Sequence, residues 1–318
     1  MIIVTGANGF IGRYLVQQLI DNGDDVLATG SSDKSKNYFK DKGIPYETID
    51  VTKKEDFDKL PNSDAVVHLA ALLRIDRDKH TALDYIKVNG YGTFNVLEYC
   101  YKVGAKIIYS QTHSDIDASK DIIISEKTER AFTSSHEISD NVYPFIVGKN
   151  MGMDLIMAYD NDGVIPAGIV FRLSNIRGYG SRDTRYNCVF HQLIQKAING
   201  DPIEIWGDHK TVRDMIYVKD VVNAIIKAIN SNTAHGLYTI GSGSGVTILD
   251  EAQAIINAFC TKKQSKIIFR PEIKEVRTKN TIFDISKAVQ ELKWKPQYTY
   301  EEAMIDYKKE MKKMGKGG

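Results

Sequence analysis

The chain has 318 residues, of which 42% are hydrophobic and 26% charged, so it is long enough for one large or two ordinary domains. Its 42 basic and 41 acidic side chains leave a formal net charge of +1, which excludes the charge excess typical of nucleic-acid or membrane binding. Three widely spaced cysteines suggest neither a disulfide framework nor a zinc cluster. With no signal peptide and no apolar run of the ~18–20 residues that a membrane span needs, we expect a cytoplasmic protein that holds no metal and binds a small molecule.

Short runs of β-branched residues alternate with amphipathic stretches through the first two thirds of the chain. The predicted strands are, in chain order, residues 1–5, 25–29, 46–49, 65–69, 106–110 and 167–173. The main predicted helices, with apolar residues at helical spacing, are Ile11–Asn22, Ala82–Val103 and Lys149–Tyr159. This alternation favours an α/β fold with a Rossmann-type, doubly wound parallel sheet and helices on both faces.

The pattern loosens after about residue 175. The sequence there predicts a loop over 178–186, a helix after it, a strand at Ile203–Trp206 and a helix at Val218–Asn230. The Lys- and Gly-rich tail over 308–318 is expected to fray. We therefore predict a larger domain over 1–174, to which a helix at 217–230 returns, and a smaller C-terminal α/β lobe over 175–318 that closes a cleft.

A glycine-rich turn follows the first predicted strand directly and opens the first helix. It reads Gly-Ala-Asn-Gly-Phe-Ile-Gly over residues 6–12. The first glycine permits a tight turn, the second lets the backbone approach a pyrophosphate, and the third lets the helix pack on the strand. The amides and dipole of the helix N-terminus favour phosphates. The residues expected to bind a dinucleotide here are Gly6, Asn8, Gly9, Phe10, Ile11 and Gly12.

The Gly-x-x-Gly-x-x-Gly spacing of this turn resembles the cofactor loop of the extended short-chain dehydrogenase/reductases, the nucleotide-sugar epimerase/dehydratase family. Further segments resemble the motifs of that family in the same order, over almost the whole chain. They are His-Leu-Ala-Ala at 68–71, Asn-Gly-Tyr-Gly-Thr at 89–93, Phe-Arg-Leu-Ser-Asn at 171–175, Trp-Gly-Asp at 206–208, Arg-Asp-Met-Ile-Tyr-Val at 213–218 and Leu-Lys-Trp-Lys-Pro at 292–296. So many matches in order are specific for the family, although not for a substrate.

The resemblance implies a nicotinamide dinucleotide cofactor and a nucleotide-diphosphate sugar substrate. Outside the turn, cofactor contacts are expected from Ser31, Lys34, Asp50, Val51, Leu69, Ala70, Ala71, Asn89, Ser110 and Lys149. Substrate contacts are expected from Thr112, His113, Asn175, Trp206, Arg213 and Arg277. Arg213 is the strongest diphosphate candidate, because a planar guanidinium binds phosphates through two hydrogen bonds. His68 is expected to be structural, and Arg172 to form either a buried ion pair or a ligand contact.

The end of the second strand bears on the choice between NAD and NADP. NAD-binding members usually have an acidic residue there for the adenosine ribose, and the alignment puts Gly30 at that position. Without a carboxylate a 2′-phosphate would not be repelled, and Ser31 with Lys34 or Lys36 could hold it. Asp33 could instead serve NAD. The sequence thus favours NADP, with NAD as the alternative.

The resemblance also implies hydride transfer at a sugar carbon, with a tyrosine four residues before a lysine as acid/base. This spacing places both side chains on one helix face, where the ammonium lowers the pKa of the phenol. Lys149 and the strand-end hydroxyl of Thr112 are present, but Phe145 stands at the tyrosine position. Three interpretations remain open: an engineered Tyr→Phe change that traps substrate, a natural homologue that only binds, or another proton source such as Tyr143, His113 or water. The first is favoured because the other site residues are retained.

The residues after Thr112 bear on the reaction. His113 and Ser114 stand where the 4,6-dehydratases of the family have Asp-Glu, and the Val-Tyr-Gly of many epimerases is also missing. We therefore expect a 4-keto nucleotide-sugar reductase that uses NADPH. A nucleotide-sugar 4-epimerase is the alternative, and a catalytically inactive dinucleotide sensor or scaffold is the contrasting class.

A homodimer is also expected. In this family two helices pack against their symmetry mates, and the corresponding stretches are Ala82–Val103 and Lys149–Tyr159. They hold more apolar residues than one packing face needs. The apolar residues in question are Leu83, Ile86, Val96, Leu97, Met153, Leu155, Ile156 and Met157.

Overall fold

A computed structural model describes residues 1–33, 36–73, 79–116, 120–131, 143–180, 189–260, 264–273 and 279–314. The strands are β1 (Ile2–Thr5), β2 (Val26–Gly30), β3 (Tyr46–Thr48), β4 (Ala65–His68), β5 (Lys106–Thr112), β6 (Ile122–Ile124), β7 (Gly168–Leu173), β8 (Asn175–Arg177), β9 (Ile203–Trp206), β10 (Val212–Arg213), β11 (Met215–Tyr217), β12 (Gly236–Ile240), β13 (Val246–Thr247), β14 (Ile267–Arg270) and β15 (Thr281–Phe283). The helices are α1 (Phe10–Asp21), α2 (Lys36–Lys40), a 3-10 helix (Lys54–Lys59), α3 (Ala82–Tyr85), a π-helical segment (Ile86–Tyr91), α4 (Gly92–Val103), α5 (Tyr143–Asn161), α6 (Val189–Asn199), α7 (Val218–Asn230), α8 (Ile248–Phe259), α9 (Ser286–Glu291) and α10 (Tyr300–Met314).

Seven parallel strands form the central sheet, in the order β12-β7-β5-β4-β1-β2-β3. β1, β2, β4 and β7 are buried at every residue, as strands covered by helices on both faces must be. α1 and α7 pack together, as do α4 and α5, and both α4 and α5 also contact β5. The predicted α/β Rossmann-type fold is confirmed, and its strand order reverses between β1 and β4, where such folds bind ligands.

The second predicted helix is interrupted. Its stretch contains the π-helical segment between α3 and α4, where the backbone makes wider turns. α5 comes very close to this segment, since a Cβ on Gly148 would lie 2.7 Å from the Tyr85 carbonyl oxygen and 3.0 Å from the Asn89 Cβ. π-helical turns in longer helices are common at functional sites. This segment, which carries Asn89, therefore lies directly beside α5.

The rest of the chain builds smaller sheets: β13-β10-β15-β6, β8-β11 and β9-β14. Their core includes Phe190, Ile255 and Tyr307. The residues after β5 enter this part through β6, whereas β12, from beyond residue 174, joins the central sheet. The division at residue 174 stays a prediction. No helix in the described ranges has the length and hydropathy to cross a bilayer.

One prediction from the sequence needs correction. The expected fraying from residue 308 is wrong as far as residue 314, because α10 continues there, with Tyr307 buried and the Lys308 amine donating to the Ala258 carbonyl at 2.7 Å. Of the eight apolar residues that suggested a second packing face, half belong to the core of this chain. These are Val96, Leu97, Met153 and Ile156. The homodimer stays a prediction.

Candidate active site

The glycine turn after β1, here called the glycine cradle, is packed too closely against neighbouring backbone to accept side chains. Gly6 has φ +65°, and a Cβ there would lie 2.7 Å from the Ala70 backbone nitrogen. A Cβ on Gly12 would lie 2.6 Å from the Gly6 carbonyl oxygen, so α1 sits directly on the turn. The first amides of a helix have no partner within it, and α1 has no acidic residue in its first turn. The turn therefore fits a pyrophosphate bound at the helix N-terminus, where Asn8, Gly9, Phe10 and Ile11 are placed.

The backbone of residues 69–72, which follows β4, is held by hydrogen bonds from two sides. The Ala70 amide donates to the Thr5 hydroxyl at 3.3 Å, and the Leu69 amide to the Thr5 carbonyl at 3.2 Å. Asn89 accepts from the Leu72 amide at 2.8 Å and donates to the Leu72 carbonyl at 2.9 Å. Asn89 thus holds the backbone beside the turn, next to Ala71.

The end of the predicted site where the adenosine of a dinucleotide would lie is bounded by β2 and β3. A Cβ on Gly30 would lie 2.8 Å from the Tyr46 hydroxyl and 3.0 Å from the Asn8 side-chain oxygen. Tyr46 donates to the Ser32 carbonyl at 2.9 Å, and Asp33 accepts from the Thr48 hydroxyl at 2.5 Å. Position 30, where NAD-binding members usually have an acidic residue, is therefore crowded. The nearby carboxylate of Asp33 is hydrogen-bonded to Thr48 on β3.

Two further predicted cofactor residues follow β3. Asp50 accepts from the Thr52 amide at 3.0 Å and the Thr52 hydroxyl at 2.8 Å, which fixes the direction of its carboxylate. The Val51 side chain is buried in the core against α4, and its carbonyl accepts from Asn95 at 2.9 Å. Any contact of Val51 with a ligand would therefore come from its backbone. Ser31 is exposed, and Lys34 lies outside the described residues.

His68 is structural, as expected. Its ring lies between the Thr5 hydroxyl at 2.7 Å and the Thr93 hydroxyl at 3.0 Å. Burial, together with the nearby Lys149 charge, lowers the pKa of His68 to about 3. The neutral imidazole therefore connects β1, β4 and α4 and has no acid/base role at neutral pH.

Lys149 carries an amine into the protein interior. It is 4% exposed, and its Nζ lies 3.9 Å from the ring centroid of Tyr109 on β5. In the described part of the chain no carboxylate forms an ion pair with it, and burial lowers the pKa of Lys149 to about 7. A buried amine without a carboxylate is suited to bind the hydroxyls of a ligand.

Phe145 lies one turn before Lys149 in an apolar cluster with Tyr85, Ile146 and Leu72. It is 5% exposed, and its ring meets Tyr85 edge-on at 6.3 Å. The Tyr85 hydroxyl donates to the Leu73 carbonyl at 3.2 Å. No proton-donating group therefore occupies position 145.

Thr112 is the last residue of β5, two residues beyond the half-buried Ser110. Its hydroxyl donates to the Ser114 hydroxyl at 3.0 Å and accepts from the Ser114 amide at 3.0 Å. His113 donates from Nδ1 to the Leu173 carbonyl at 2.8 Å, which fixes its ring against β7. Both predicted substrate residues thus lie at the carboxyl edge of the central sheet.

Contacts connect this edge to the smaller sheets. Asn175 donates to the Asp214 carbonyl at 3.0 Å, next to Arg213 on β10. The fully buried Asp214 accepts from the amides of Ser242, Gly243 and Phe283 at 2.7, 3.1 and 3.1 Å, which fixes the loop after β12 and the end of β15 beside Arg213. Sequence reasoning missed this role, although Asp214 stands inside the Arg-Asp motif.

Three further residues singled out from the sequence are Trp206, Arg172 and Arg277. Trp206 is 50% exposed at the end of β9, in a different sheet, and its indole donates to Glu204 at 3.4 Å. Arg172 is buried, with its guanidinium 3.7 Å from Asp115, so the ion-pair interpretation holds. Arg277 lies outside the described residues.

The sequence and the fold are similar to those of known proteins. Residues 2–241 match the model of the NAD dependent epimerase/dehydratase family. UDP-N-acetyl-alpha-D-glucosaminuronate decarboxylase from Bacillus cytotoxicus is 30% identical over 273 residues, which cover 85% of this chain and 83% of the relative. UDP-glucuronic acid 4-epimerase from Bacillus cereus, solved with UDP-glucuronic acid and NAD, has a TM-score of 0.78 at 24% identity, over 98% of this chain and 99% of that one. The dTDP-glucose 4,6-dehydratase from Bacillus anthracis, solved with NAD, has a TM-score of 0.76 at 21% identity, over 98% and 96%.

The chain therefore belongs to the NAD-dependent epimerase/dehydratase family, as its motifs predict. The similarity to the two solved structures supports the fold alone.

Proposed function

We propose that this protein is a nucleotide-sugar oxidoreductase that transfers a hydride between NADP(H) and carbon 4 of the sugar, in the direction of a 4-keto reductase. The observation that carries this proposal is the combination of the glycine cradle with Lys149 on α5 and Thr112 at the end of β5. The bound dinucleotide would supply or accept the hydride. A nucleotide-sugar 4-epimerase, which uses the same residues reversibly, is the second candidate.

Three residues of the chain would bind the cofactor and the substrate. Lys149 would bind the ribose hydroxyls of the cofactor, since its amine is buried without a carboxylate. Thr112 would hydrogen-bond the oxygen on the reacting sugar carbon, and Arg213 would bind the diphosphate. Phe145 lacks the phenol that the resemblance assigns as the proton donor, so this chain would bind its ligands but turn them over slowly unless Tyr143, His113 or water supplies the proton.

NADP is proposed over NAD because of the crowding around Gly30. A carboxylate there would have to displace the Tyr46 hydroxyl, so the usual acceptor for ribose hydroxyls has no space. Calorimetric titration with NADP(H) and NAD(H) tests this choice. Tighter binding of NAD would refute it, and Asp33 would then be the acceptor to examine.

Restoration of the phenol tests the proposal directly. Phe145→Tyr is expected to raise turnover by roughly 10²–10⁴, the contribution of a positioned acid/base, while substrate affinity hardly changes. The assay should offer 4-keto nucleotide sugars with NADPH, UDP-hexoses with NAD, and UDP-N-acetylglucosaminuronate, the substrate class named for the Bacillus cytotoxicus relative.

Matched variants show whether the gained activity uses this site. In the Phe145→Tyr background, Thr112→Val and Lys149→Met should each remove the gain, whereas Thr233→Val, an exposed threonine elsewhere, should not. If Phe145→Tyr stays inert while the parent turns over a member of the panel, residue 145 is not the place from which the proton is donated. If both are inert but bind dinucleotide, the sensor or scaffold function is favoured instead.

A further inference from the structure

Tyr109 makes two separate contacts with Lys149 on α5. It lies on β5, three residues before Thr112, and is 1% exposed. Its ring centroid is 3.9 Å from Lys149 Nζ, and its hydroxyl donates to the Lys149 carbonyl at 3.1 Å. The ring thus lies beneath the amine while the hydroxyl is fixed to the backbone of that amine's own residue.

The surroundings leave Tyr109 little freedom. The His68 ring lies nearly parallel to it, with centroids 5.7 Å apart. A Cβ on Gly152 of α5 would lie 2.8 Å from the Tyr109 hydroxyl, so this close approach requires glycine on the next turn of the helix. The ring is therefore held by the sheet, by His68 and by α5 at once.

This arrangement addresses a physical problem of the site. A lysine side chain has several rotatable bonds, and ordering it in one conformation costs conformational entropy. An aromatic face attracts a cation, most strongly where water is excluded. In the described part of the chain no acidic side chain performs this task for Lys149, and the nearby titratable groups are His68 and Tyr109 itself.

We propose that Tyr109 is a positioning residue for Lys149: its ring supports the ammonium where it can reach the cofactor ribose, and its hydroxyl fixes the ring to α5. The inference deepens the proposed function and rests on it only for the role of Lys149 toward the cofactor. The juxtaposition of ring and amine is a property of the free protein and can be tested without ligand.

The test uses NMR of the full-length protein labelled with ¹³C at lysine Cε, with the Lys149 signal assigned by its loss in Lys149→Met. In the parent, the Lys149 Cε protons should be shifted upfield of those of other lysines by the ring current of Tyr109. Tyr109→Phe keeps the ring and should keep this shift and the pH midpoint of the signal. Tyr109→Leu should abolish the shift and lower the midpoint.

Dinucleotide affinity gives a second readout. Tyr109→Leu should weaken binding roughly 3- to 30-fold at neutral pH, the range of a desolvated cation–π contact, and Tyr109→Phe should weaken it far less. Tyr99→Leu is the matched control, because Tyr99 is a buried tyrosine of the same core that does not contact Lys149. It should destabilise the fold without changing the Lys149 signal or the affinity.

An ordinary Lys149 signal in the parent overturns the proposal and requires no variant of Tyr109 to fold. So does a Tyr109→Leu protein that keeps the parental midpoint and affinity, since Tyr109 would then only fill the core. Failure of the parent to bind either dinucleotide would instead refute the proposed function, while the Lys149 signal would still report on Tyr109.

Discussion

Lys149 carries a measurable energetic cost in the free protein. Its folded pKa is about 7, whereas an unfolded lysine titrates near ~10.4. Because the folded pKa is lowered, the stability associated with the neutral amine is fully present above pH ~10.4. It is progressively lost as the pH falls to about 7, where the folded protein also takes up the proton.

Lys149→Met should therefore make the free protein more stable at pH 7 and flatten its pH dependence. Between pH 7 and 10 the advantage of the variant should shrink by up to about 1.4 kcal/mol per pH unit, the value for one proton. Urea unfolding of parent and variant at several pH values measures this difference. Lys227→Met, at an exposed lysine, is the control and should show a constant difference. The same constant difference for Lys149→Met would contradict a depressed pKa of Lys149.

The sequence predicted those site residues whose roles follow from spacing or strand position. Lys149 and Thr112 were found because a motif fixes their places on one helix and at one strand end. Tyr109 and Asp214 were missed, since Tyr109 contacts a residue forty positions later and Asp214 fixes a loop and a strand end that follow by 28 and 69 positions. Contacts of this kind are set by packing and leave no local pattern.

At the scale of elements, the proposed choice of NADP depends on the contact between β2 and β3 at Gly30 and Tyr46. Gly30→Asp alone should weaken binding of both dinucleotides and destabilise the fold by roughly 1–3 kcal/mol, because its side chain would collide with the Tyr46 hydroxyl. With Tyr46→Phe, which removes that hydroxyl, Gly30→Asp should regain stability and shift preference toward NAD.

Calorimetry with NAD and NADP on the parent, both single variants and the double variant measures this coupling as a double-mutant cycle. Tyr46→Phe alone serves as the control for the lost hydrogen bond to Ser32. Additive effects of the two changes would show that Tyr46 does not restrict position 30.

The sequence predicted six of the seven strands of the central sheet, but it missed β12 and, apart from β9, the short strands of the smaller sheets. A further difference concerns the second helix. Apolar spacing predicted a single helix over 82–103, and the helical stretch is present, but six of its residues form the π segment. Periodicity averaged over a window does not register one wider turn. The cause lies in packing, because Gly148 brings α5 against the Tyr85 backbone at the start of that segment.

At the scale of the molecule, we propose that α4 and α5 form the interface of a homodimer. Exposed or half-buried apolar residues lie on both helices and just before α4: Tyr91, Phe94, Met151 and Leu155. Tyr91 and Phe94 stack at 6.2 Å, and Tyr159 donates to Glu98 at 2.6 Å, which connects the two helices.

Phe94→Glu should convert the dimer to a monomer, because a charge would be buried at the interface without a partner. Sedimentation velocity at micromolar concentration measures the change. Val289→Glu, at an exposed position on α9, should leave the dimer unaffected. A parent that sediments as a monomer at this concentration would refute the interface.

The pairing of β6 with β15 sets the order in which a newly made chain can mature. Ile123, in the segment that continues from Thr112, pairs with Ile282, which the ribosome adds about 160 residues later. At ~5–20 residues per second, β6 of a nascent chain waits roughly 8 to 30 s for β15. The residues of the glycine turn stand at the start of the chain, whereas the segment after Thr112 acquires its partner strand only after about 160 further residues have been added.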